Sequence, residues 1–199
     1  GTAGWLAAYI MSDFFYSNKL NANVKVIESS KIPTIGVGEG TTSIFYEFLK
    51  YYNLDETDFL KETKATLKFG IVHKDWKELG NTYYGPIDDP QLIAPKSKPE
   101  NFEYLKAYAV AAGRPVSEIH LHTLLMQNKK VPYVYKDNNL ELISPFYYAY
   151  HFDNSLVASY LKKRSQNIEI IDDVYTSCKV NDDGTIESLH FESGLELDI

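Results

Sequence analysis

The chain has 199 residues, of which 44% are hydrophobic and 24% charged, the balance of an ordinary globular protein with one sizeable core. A net charge of −7 argues against a nucleic-acid backbone as partner, and no apolar run approaches the roughly 20 residues that a bilayer-spanning helix needs. The single cysteine, Cys178, cannot form an internal disulfide, which together with the absence of a visible signal peptide favours a cytoplasmic protein with no membrane partner.

The opening residues, GTAGWLAA, predict a helix from Gly4 to about Asn18 that begins at a glycine-rich turn. Gly1 and Gly4 fit the last two glycines of a GxGxxG turn. The first lets the backbone approach a pyrophosphate, and the second lets the new helix pack tightly on a sheet while its free N–H groups face the phosphates. The apolar residues of this helix are predicted to be mostly buried: Trp5, Leu6, Tyr9, Ile10 and Phe14.

The strand predicted next, over residues 24–27, is followed by an acidic residue, Glu28. In dinucleotide-binding folds an acid at this distance from the glycine turn bonds the adenosine ribose hydroxyls. Helix, strand and acid together predict the tail of a dinucleotide-binding βαβ unit, and the alternative is an ordinary helix that starts at a glycine. A nucleotide fold needs a strand before Gly1, so we expect further residues there, and also beyond the strand predicted over residues 195–199.

The rest of the chain alternates helices with strands and then turns to strands alone. Helices are predicted over residues 43–52, 56–63 after the N-cap Asp55, 102–112, 117–127, and 154–163 after the N-cap Asp153. Strands are predicted over residues 65–73, 131–135, 168–180 and 185–191, with turns at 137–139 and 182–184 and an extended loop over 76–99. This order predicts an α/β fold with a long insertion, not two independent domains.

A lysine stands on the strand predicted over residues 65–73. Successive side chains alternate between the two faces of a strand, so Lys68 shares its face with Thr66, Gly70 and Val72, which are small or apolar. The usual interpretation is a solvated lysine on an edge strand. The alternative is a lysine held in a partly dry tunnel, where its ammonium group donates hydrogen bonds to a small oxidant.

Four segments carry a resemblance to a known family. They are GTAGWLAA at the start, ESSKIPTIGVGEGT from Glu28, the lysine strand that leads to DW at Trp76, and YHFDNSLVASYL from Tyr150. Their order and spacing resemble the N-terminal half of flavin-dependent tryptophan halogenases. The resemblance implies an FAD-binding Rossmann-like domain of the glutathione-reductase type with a β-rich and helical insertion. It assigns residues 1–75 and 150–199 mainly to FAD binding and residues 76–149 mainly to the substrate side.

The resemblance also implies a reaction and its participants. Reduced FAD, supplied by a separate flavin reductase, reacts with oxygen, and a halide ion as co-substrate is converted into hypohalous acid. A lysine then directs this oxidant to an indole- or tryptophan-like aromatic substrate, either by hydrogen bonding or as a haloamine. Lys68 matches that catalytic lysine, and a movable point donor with a nucleophilic neutral form suits either role. A homodimer is a further candidate assembly.

Residues that match the family's flavin contacts lie in four places. They are Gly1, Thr2, Ala3 and Gly4 in the turn, Glu28 at the strand end, Ile32, Gly36, Val37, Gly38 and Gly40 in a glycine-rich strap, and Val174, which matches a valine that contacts adenine through its backbone. No metal site is expected, because His120 and His122 diverge on a helix.

On the substrate side the chain departs from the family's pattern. Asn81 stands where the family has a stacking histidine, and Tyr83 can replace an aromatic wall. We therefore expect an indole or another electron-rich aromatic as substrate, and not necessarily free tryptophan. Two other interpretations stay open: a related FAD-dependent aromatic hydroxylase without halide chemistry, and a non-catalytic relative that binds nucleotide or nothing.

Overall fold

The computed structural model of the chain describes residues 1–32, 36–87, 99–115, 121–143 and 147–198, except for the side chains of residues 99–103. The helices are α1 (Thr2–Ser17), α2 (Ile44–Tyr51), α3 (Glu56–Thr63), α4 (Pro99–Ala111), α5 (Leu121–Gln127) and α6 (Asn154–Arg164). The strands are β1 (Val24–Glu28), β2 (Gly38–Gly40), β3 (Thr66–Lys68), β4 (Gly70–Lys74), β5 (Thr82–Pro86), β6 (Tyr133–Lys136), β7 (Asn139–Leu142), β8 (Ala149–Asp153), β9 (Ile168–Asp172), β10 (Tyr175–Val180), β11 (Ile186–Phe191) and β12 (Glu196–Asp198). Across these described ranges, no helix has both the length and the apolar character that a membrane crossing requires.

The chain divides into two compact units. One comprises Gly1–Gly38 and Asp153–Ile199, and the other comprises Glu39–Phe152. The sequence predicts FAD binding mainly on residues 1–75 and 150–199. These ranges describe a function and do not have to match the compact units, so the assignment stays a prediction.

The first unit is built on a pair of parallel strands. β1 pairs with β9 in a register that runs from Val24 opposite Ile168 to Glu28 opposite Asp172. Helix α1 packs against both α6 and β1, and a meander of three antiparallel strands, β10–β11–β12, belongs to the same unit. Parallel strands with packed helices are the elements of a Rossmann-like α/β fold.

Helix α1 buries a single stripe. Its buried residues are Thr2, Trp5, Ala8 and Ser12, a spacing that keeps one face toward its neighbours. The prediction that its apolar residues are mostly buried is therefore wrong for Ile10 and Phe14, which are 42% and 55% exposed and lie off that stripe.

The second unit holds a three-stranded sheet with an aromatic core on one face. The strand order is β2–β8–β3, with β8 in the centre. The rings of Phe59, Tyr150 and Phe152 lie 5.4 to 5.9 Å from that of Phe45 on α2. Helix α3 confirms its predicted bounds and its N-cap, because the Asp55 side chain accepts a hydrogen bond from the Asp58 N–H at 2.8 Å. The aromatic cluster therefore fixes α2 and α3 against β8.

The strand predicted over residues 65–73 is in fact two strands. β3 pairs with β8, whereas β4 pairs with β5, and Phe69 lies between them. The extended loop predicted over residues 76–99 is also wrong for Thr82–Pro86, which form β5. The many prolines of that region favoured a loop, but Tyr83 and Tyr84 pair with His73 and Val72 across a hairpin. The hairpin loop turns at Asp75 and Gly80, which both have positive φ.

The turn after β6 forms where the sequence predicts it. Asp137 and Asn138 have φ of 50° and 62°, the backbone of a type I′ hairpin turn. The strand predicted over residues 168–180 is broken after Asp172. There the Asp173 carboxylate accepts hydrogen bonds from the Val174 N–H and from Ser193, which turns the chain out of the β9 direction. The start of the helix predicted from Ser117 lies outside the described residues, and α5 begins at Leu121.

Candidate functional site

A cleft in the first unit lies where β1 and β9 end. It has a volume of about 690 Å³ and is bordered by Gly1, Glu28, Ile32, Lys162, Asp172 and Val174, among others. In α/β folds nucleotides bind at the carboxyl ends of parallel strands, beside a helix N-terminus that offers free N–H groups. The cleft has this position and a volume within the range of about 300–1,000 Å³ typical of cofactor sites. The structure thus brings four predicted cofactor residues to one place: Gly1, Glu28, Ile32 and Val174.

Glu28, the predicted ribose ligand, is held from two sides. Lys162 on α6 donates to its Oε1 at 2.5 Å, and the Trp5 indole N–H donates to its Oε2 at 3.0 Å. The Lys162 ammonium also lies 5.5 Å from the centroid of the Trp5 ring. The hydrogen bond from Lys162 is the main cause that lowers the pKa of Glu28 below its ordinary value, partial burial opposes it, and the Trp5 bond assists it. Glu28 therefore faces the cleft as an oriented carboxylate.

Lys162 and Trp5 were not identified as site residues from the sequence. The sequence predicts that Trp5 is buried, and the structure confirms this, with 2% of its surface exposed. Lys162 stands in the last turn of α6, where a basic residue has the usual role of complementing the helix dipole. The one signal for it in the sequence is its position directly after the family-like segment YHFDNSLVASYL, which ends at Leu161.

The loop after β1 is tied to the end of β9. The Asp172 Oδ1 accepts a hydrogen bond from the Ser30 N–H at 2.8 Å, and this bond is the main cause that lowers the pKa of Asp172. Asp173 accepts from Ser193 in the same region. Both carboxylates are thus engaged with the protein, and they define one wall of the cleft together with Val174.

The other predicted cofactor residues have mixed surroundings. Thr2 is buried and its hydroxyl donates to the Asn154 carbonyl at 3.2 Å, whereas Ala3 and Gly4 are exposed. A Cβ added at Gly4 would meet no atom of the described residues within 4 Å, so the tight packing of Gly4 on a sheet stays a prediction. Of the strap, Gly36, Val37 and Gly38 are exposed, and residues 33–35 lie outside the described ranges. Their roles toward FAD stay predictions.

Lys68 lies on the second unit's sheet and is half-buried. Its Nζ donates to the Thr41 carbonyl at 3.1 Å. Lys68 stands on β3, which is an edge strand of the three-stranded sheet among the described residues. A lysine on an edge strand usually has its ammonium group in solvent, whereas this one is hydrogen-bonded to the protein. It reaches across β8 to the chain that follows β2.

Two small residues make room for that reach. Lys68 pairs directly with Ala149, which is completely buried and carries only a methyl group. A Cβ added at Gly40 would lie 3.0 Å from the Lys68 Nζ and 3.3 Å from the His151 ring. Gly40, predicted as a flavin contact, is thus also a residue that leaves space for the lysine.

The predicted substrate residues lie on the β4–β5 hairpin. Tyr83 stacks on His73 with the ring centroids 4.4 Å apart and the planes within 9°, and Trp76 meets His73 edge-on at 6.0 Å. Asn81 has a backbone role, because its carbonyl accepts from the Asp75 N–H at 2.8 Å and closes the hairpin loop. The stacking is a cross-strand contact, because His73 and Tyr83 lie directly opposite each other in the register of β4 and β5. The hairpin therefore presents a stacked aromatic pair.

No metal-binding group is present in the part of the chain that the structure describes, in the sense of three or more His, Cys, Asp or Glu side chains placed around one point. His122 is buried and its Nε2 lies 2.6 Å from the Tyr147 carbonyl, a structural hydrogen bond. His120 lies outside the described residues.

Comparison with known proteins identifies the family. The tryptophan halogenase profile matches residues 1–199, and the chain belongs to that family. A 7-chloro-L-tryptophan 6-halogenase from Kutzneria sp. (strain 744) is 32% identical over 179 residues, which cover 81% of this chain and 34% of that protein. The fold-class prediction is confirmed by solved flavin-dependent halogenases. The one from Xanthomonas campestris has a TM-score of 0.74 and 27% identity, covering 100% of this chain and 38% of its own. The one from Brevundimonas sp. BAL3 has a TM-score of 0.70 and 26% identity, covering 100% and 39%. The chain thus spans little more than a third of the length of the relatives it matches.

Proposed function

We propose that this chain contributes the FAD-binding cleft and the oxidant-directing lysine of a flavin-dependent halogenase that acts on an indole-like aromatic. The observation that carries the proposal is the placement of Lys68. This residue matches the family's lysine, and its ammonium group is half-buried beside the Thr41 carbonyl. A solvated edge lysine would not need the space that Ala149, opposite it, and Gly40, near its Nζ, leave for its side chain.

The residues of the first unit's cleft fit the adenosine and pyrophosphate portions of FAD. Glu28 is an oriented acceptor for ribose hydroxyls, and the N-terminus of α1 beside Gly1 offers N–H groups to phosphate. Lys162 adds a cation that offsets Glu28 next to the space for the pyrophosphate. When bound, reduced FAD would supply two electrons that, with oxygen, a halide ion and a proton, yield hypohalous acid, water and oxidised FAD.

Lys68 would hold the hypohalous acid. Its ammonium group has three N–H donors and Thr41 takes one of them, so the others remain to hydrogen-bond a small oxidant. The same donors raise the electrophilicity of the halogen toward an electron-rich ring. The stacked pair Tyr83 and His73 supports an aromatic substrate, because a flat ring of this kind binds flat ligands by stacking.

The other participants follow from the same proposal. A separate flavin reductase would supply the reduced cofactor, and the halide ion is a co-substrate. The single cysteine suits a cytoplasmic enzyme, and we propose that location. A homodimer stays a proposal alongside these.

The test is a Lys68→Ala substitution in the intact protein, assayed with a supplied reductase. Halogenated product should fall by two or more orders of magnitude, about 3 kcal/mol or more of transition-state stabilisation, while FAD binding and flavin oxidation persist. Lys68→Arg should not restore product, because a guanidinium stays protonated and has a different donor geometry. Lys74→Ala, which removes an exposed lysine from β4, is the matched control and should leave product unchanged.

Mass spectrometry of the product, alongside peroxide release, decides between the candidate functions. Full activity in Lys68→Ala would remove the lysine mechanism. An oxygenated and halogen-free product in the wild-type protein would favour the aromatic hydroxylase. Loss of flavin binding together with activity would make Lys68 a structural residue.

A further inference from the structure

We propose that Glu56 is a positioning residue for Lys68, which it reaches through Tyr150 and Thr41. The inference rests on the proposed role of Lys68, and it adds a residue that the sequence assigned only to the first turn of a helix. Glu56 has no direct contact with the lysine. Its influence passes through the central strand of the sheet.

The connection begins at the aromatic face of the sheet. The Glu56 Oε1 accepts one hydrogen bond from the Tyr150 hydroxyl at 2.6 Å and another from the Tyr148 hydroxyl at 2.8 Å. Tyr150 is completely buried and Tyr148 is 8% exposed. Burial first, and then the nearby Glu56, raise the pKa of both phenols far above the ordinary value, so both remain neutral donors. A carboxylate that accepts two buried hydrogen bonds fixes the residues that donate them.

The connection then crosses to the chain after β2. The Tyr150 N–H donates to the Thr41 Oγ1 at 3.0 Å, and the Thr41 N–H donates to the Tyr150 carbonyl at 2.9 Å. This reciprocal pair holds the Thr41 backbone against β8. The remaining polar group of Thr41, its carbonyl, is the acceptor for the Lys68 Nζ at 3.1 Å.

The two faces of β8 therefore contact different groups. Tyr150 faces the aromatic core and α3, whereas its neighbour Ala149 lies beneath Lys68 on the other face. A shift of β8 at Tyr150 moves Thr41 with it, and hence the carbonyl that orients the lysine. Small displacements of a catalytic donor lower the rate steeply, so this anchoring has a functional consequence.

Substitutions of Tyr148, Tyr150 and Glu56 distinguish an effect on the position of Lys68 from an effect on the stability of the fold. Tyr150→Phe and Glu56→Gln both loosen the anchor of Tyr150. Tyr148→Phe removes a hydrogen bond to the same Glu56 oxygen, but Tyr148 is not the residue that holds Thr41, so it is the matched control. The measured quantity is halogenated product per reduced flavin consumed. It should fall at least fivefold in Tyr150→Phe and Glu56→Gln, and less than twofold in Tyr148→Phe.

A second measurement does not depend on halogenation. Brief acetylation of the intact protein by acetic anhydride, with peptide mass spectrometry, gives the labelling rate of Lys68 relative to that of Lys106, another half-buried lysine of the same unit. We expect a rise of threefold or more at Lys68 alone in Tyr150→Phe, whereas a general loss of structure raises both rates. Thr41→Val, which keeps the side-chain shape and removes the Oγ1 acceptor, should raise the Lys68 rate as well and keeps the test open if Glu56→Gln folds poorly.

The outcomes distinguish this inference from the proposed function. Equal product ratios and equal Lys68 labelling in Tyr150→Phe and Tyr148→Phe overturn the positioning role of Glu56, whatever the enzyme makes. A selective rise in Lys68 labelling supports the positioning role even where no halogenated product forms in the wild-type protein, and in that case it is the proposed function that fails.

Discussion

Lys162 donates a hydrogen bond to Glu28 at 2.5 Å, so the acid at the end of β1 meets a cation inside the cleft. Lys162 supplies the one basic side chain among the described residues that line the cleft, so without it three carboxylates, those of Glu28, Asp172 and Asp173, would face a bound pyrophosphate. The ion pair therefore lets Glu28, the proposed ribose ligand, share the cleft with the anionic cofactor that we propose for it.

Replacing Lys162 by Met should weaken FAD binding by about tenfold, roughly 1.4 kcal/mol, because like charges then meet in the cleft. The measurement is a titration of the intact protein followed by flavin fluorescence at two salt concentrations. Lys163→Met changes the net charge equally one residue along the helix, on an exposed side chain, and should have a much smaller effect. Equal losses in the two variants would show that the effect is one of net charge alone.

Glu28 should make folding depend on pH in a defined direction. Its pKa is lowered in the folded protein, so its ion pair stabilises the fold above the unfolded-state value of about 4.3 and loses that contribution as the pH falls through the folded value. The difference in unfolding free energy between wild type and Glu28→Gln should be largest above about pH 5 and should shrink in more acidic solution. Chemical denaturation at a series of pH values measures it. A difference that grows on acidification would contradict the assignment.

The aromatic pair on the β4–β5 hairpin should select the substrate. Tyr83→Ala removes the ring that stacks on His73 and should raise KM for an indole substrate more than it lowers kcat, because stacking contributes to ground-state binding as well as to the transition state. The assay covers indoles, phenols and free tryptophan with chloride, bromide and iodide. Acceptance of free tryptophan alone would contradict the expectation that Asn81 and Tyr83 mark a different substrate.

Gly70 should tolerate no side chain, and the reason is steric. A Cβ at this position would lie 2.5 Å from the Met126 sulfur and 2.8 Å from the Gly85 carbonyl oxygen. Gly70→Ala should therefore cost about 1–3 kcal/mol of unfolding free energy. Gly85→Ala is the control on the partner strand, since its Cβ would come no closer than 3.4 Å to any described neighbour, and it should be close to neutral. Adding Met126→Ala to Gly70→Ala should recover only part of the loss, because the carbonyl contact remains.

Local patterns allowed much of the fold to be predicted from the sequence. The α3 bounds and its Asp55 cap depend on a few adjacent residues, as does the turn at Asp137 and Asn138. The sequence pattern did not reveal that residues 66–74 serve two different partner strands, because the partners β8 and β5 are distant in the chain. It also did not reveal β5, whose tyrosines form a strand only through pairing with β4.

The candidate site shows the same limit. Gly1, Glu28 and Val174 could be named because each matches a position of a motif. Lys162 could not, since its role depends on α6 bringing it next to Glu28 and not on any spacing along the chain. Glu56 likewise acts through hydrogen bonds to residues about 90 positions away.

The break at Phe69 divides this segment into two parts that pair with different strands. Up to Lys68 the chain takes its register from β8, and from Gly70 onward it takes its register from β5. A slip of one residue turns every side chain of a strand to the opposite face. Because β4 pairs with β5 and not with β8, a substitution or insertion in the β4–β5 hairpin can change the hairpin without turning Lys68 to the opposite face of its own sheet. If the hairpin contacts the substrate as proposed, substrate preference can change while the proposed oxidant-directing lysine keeps its position.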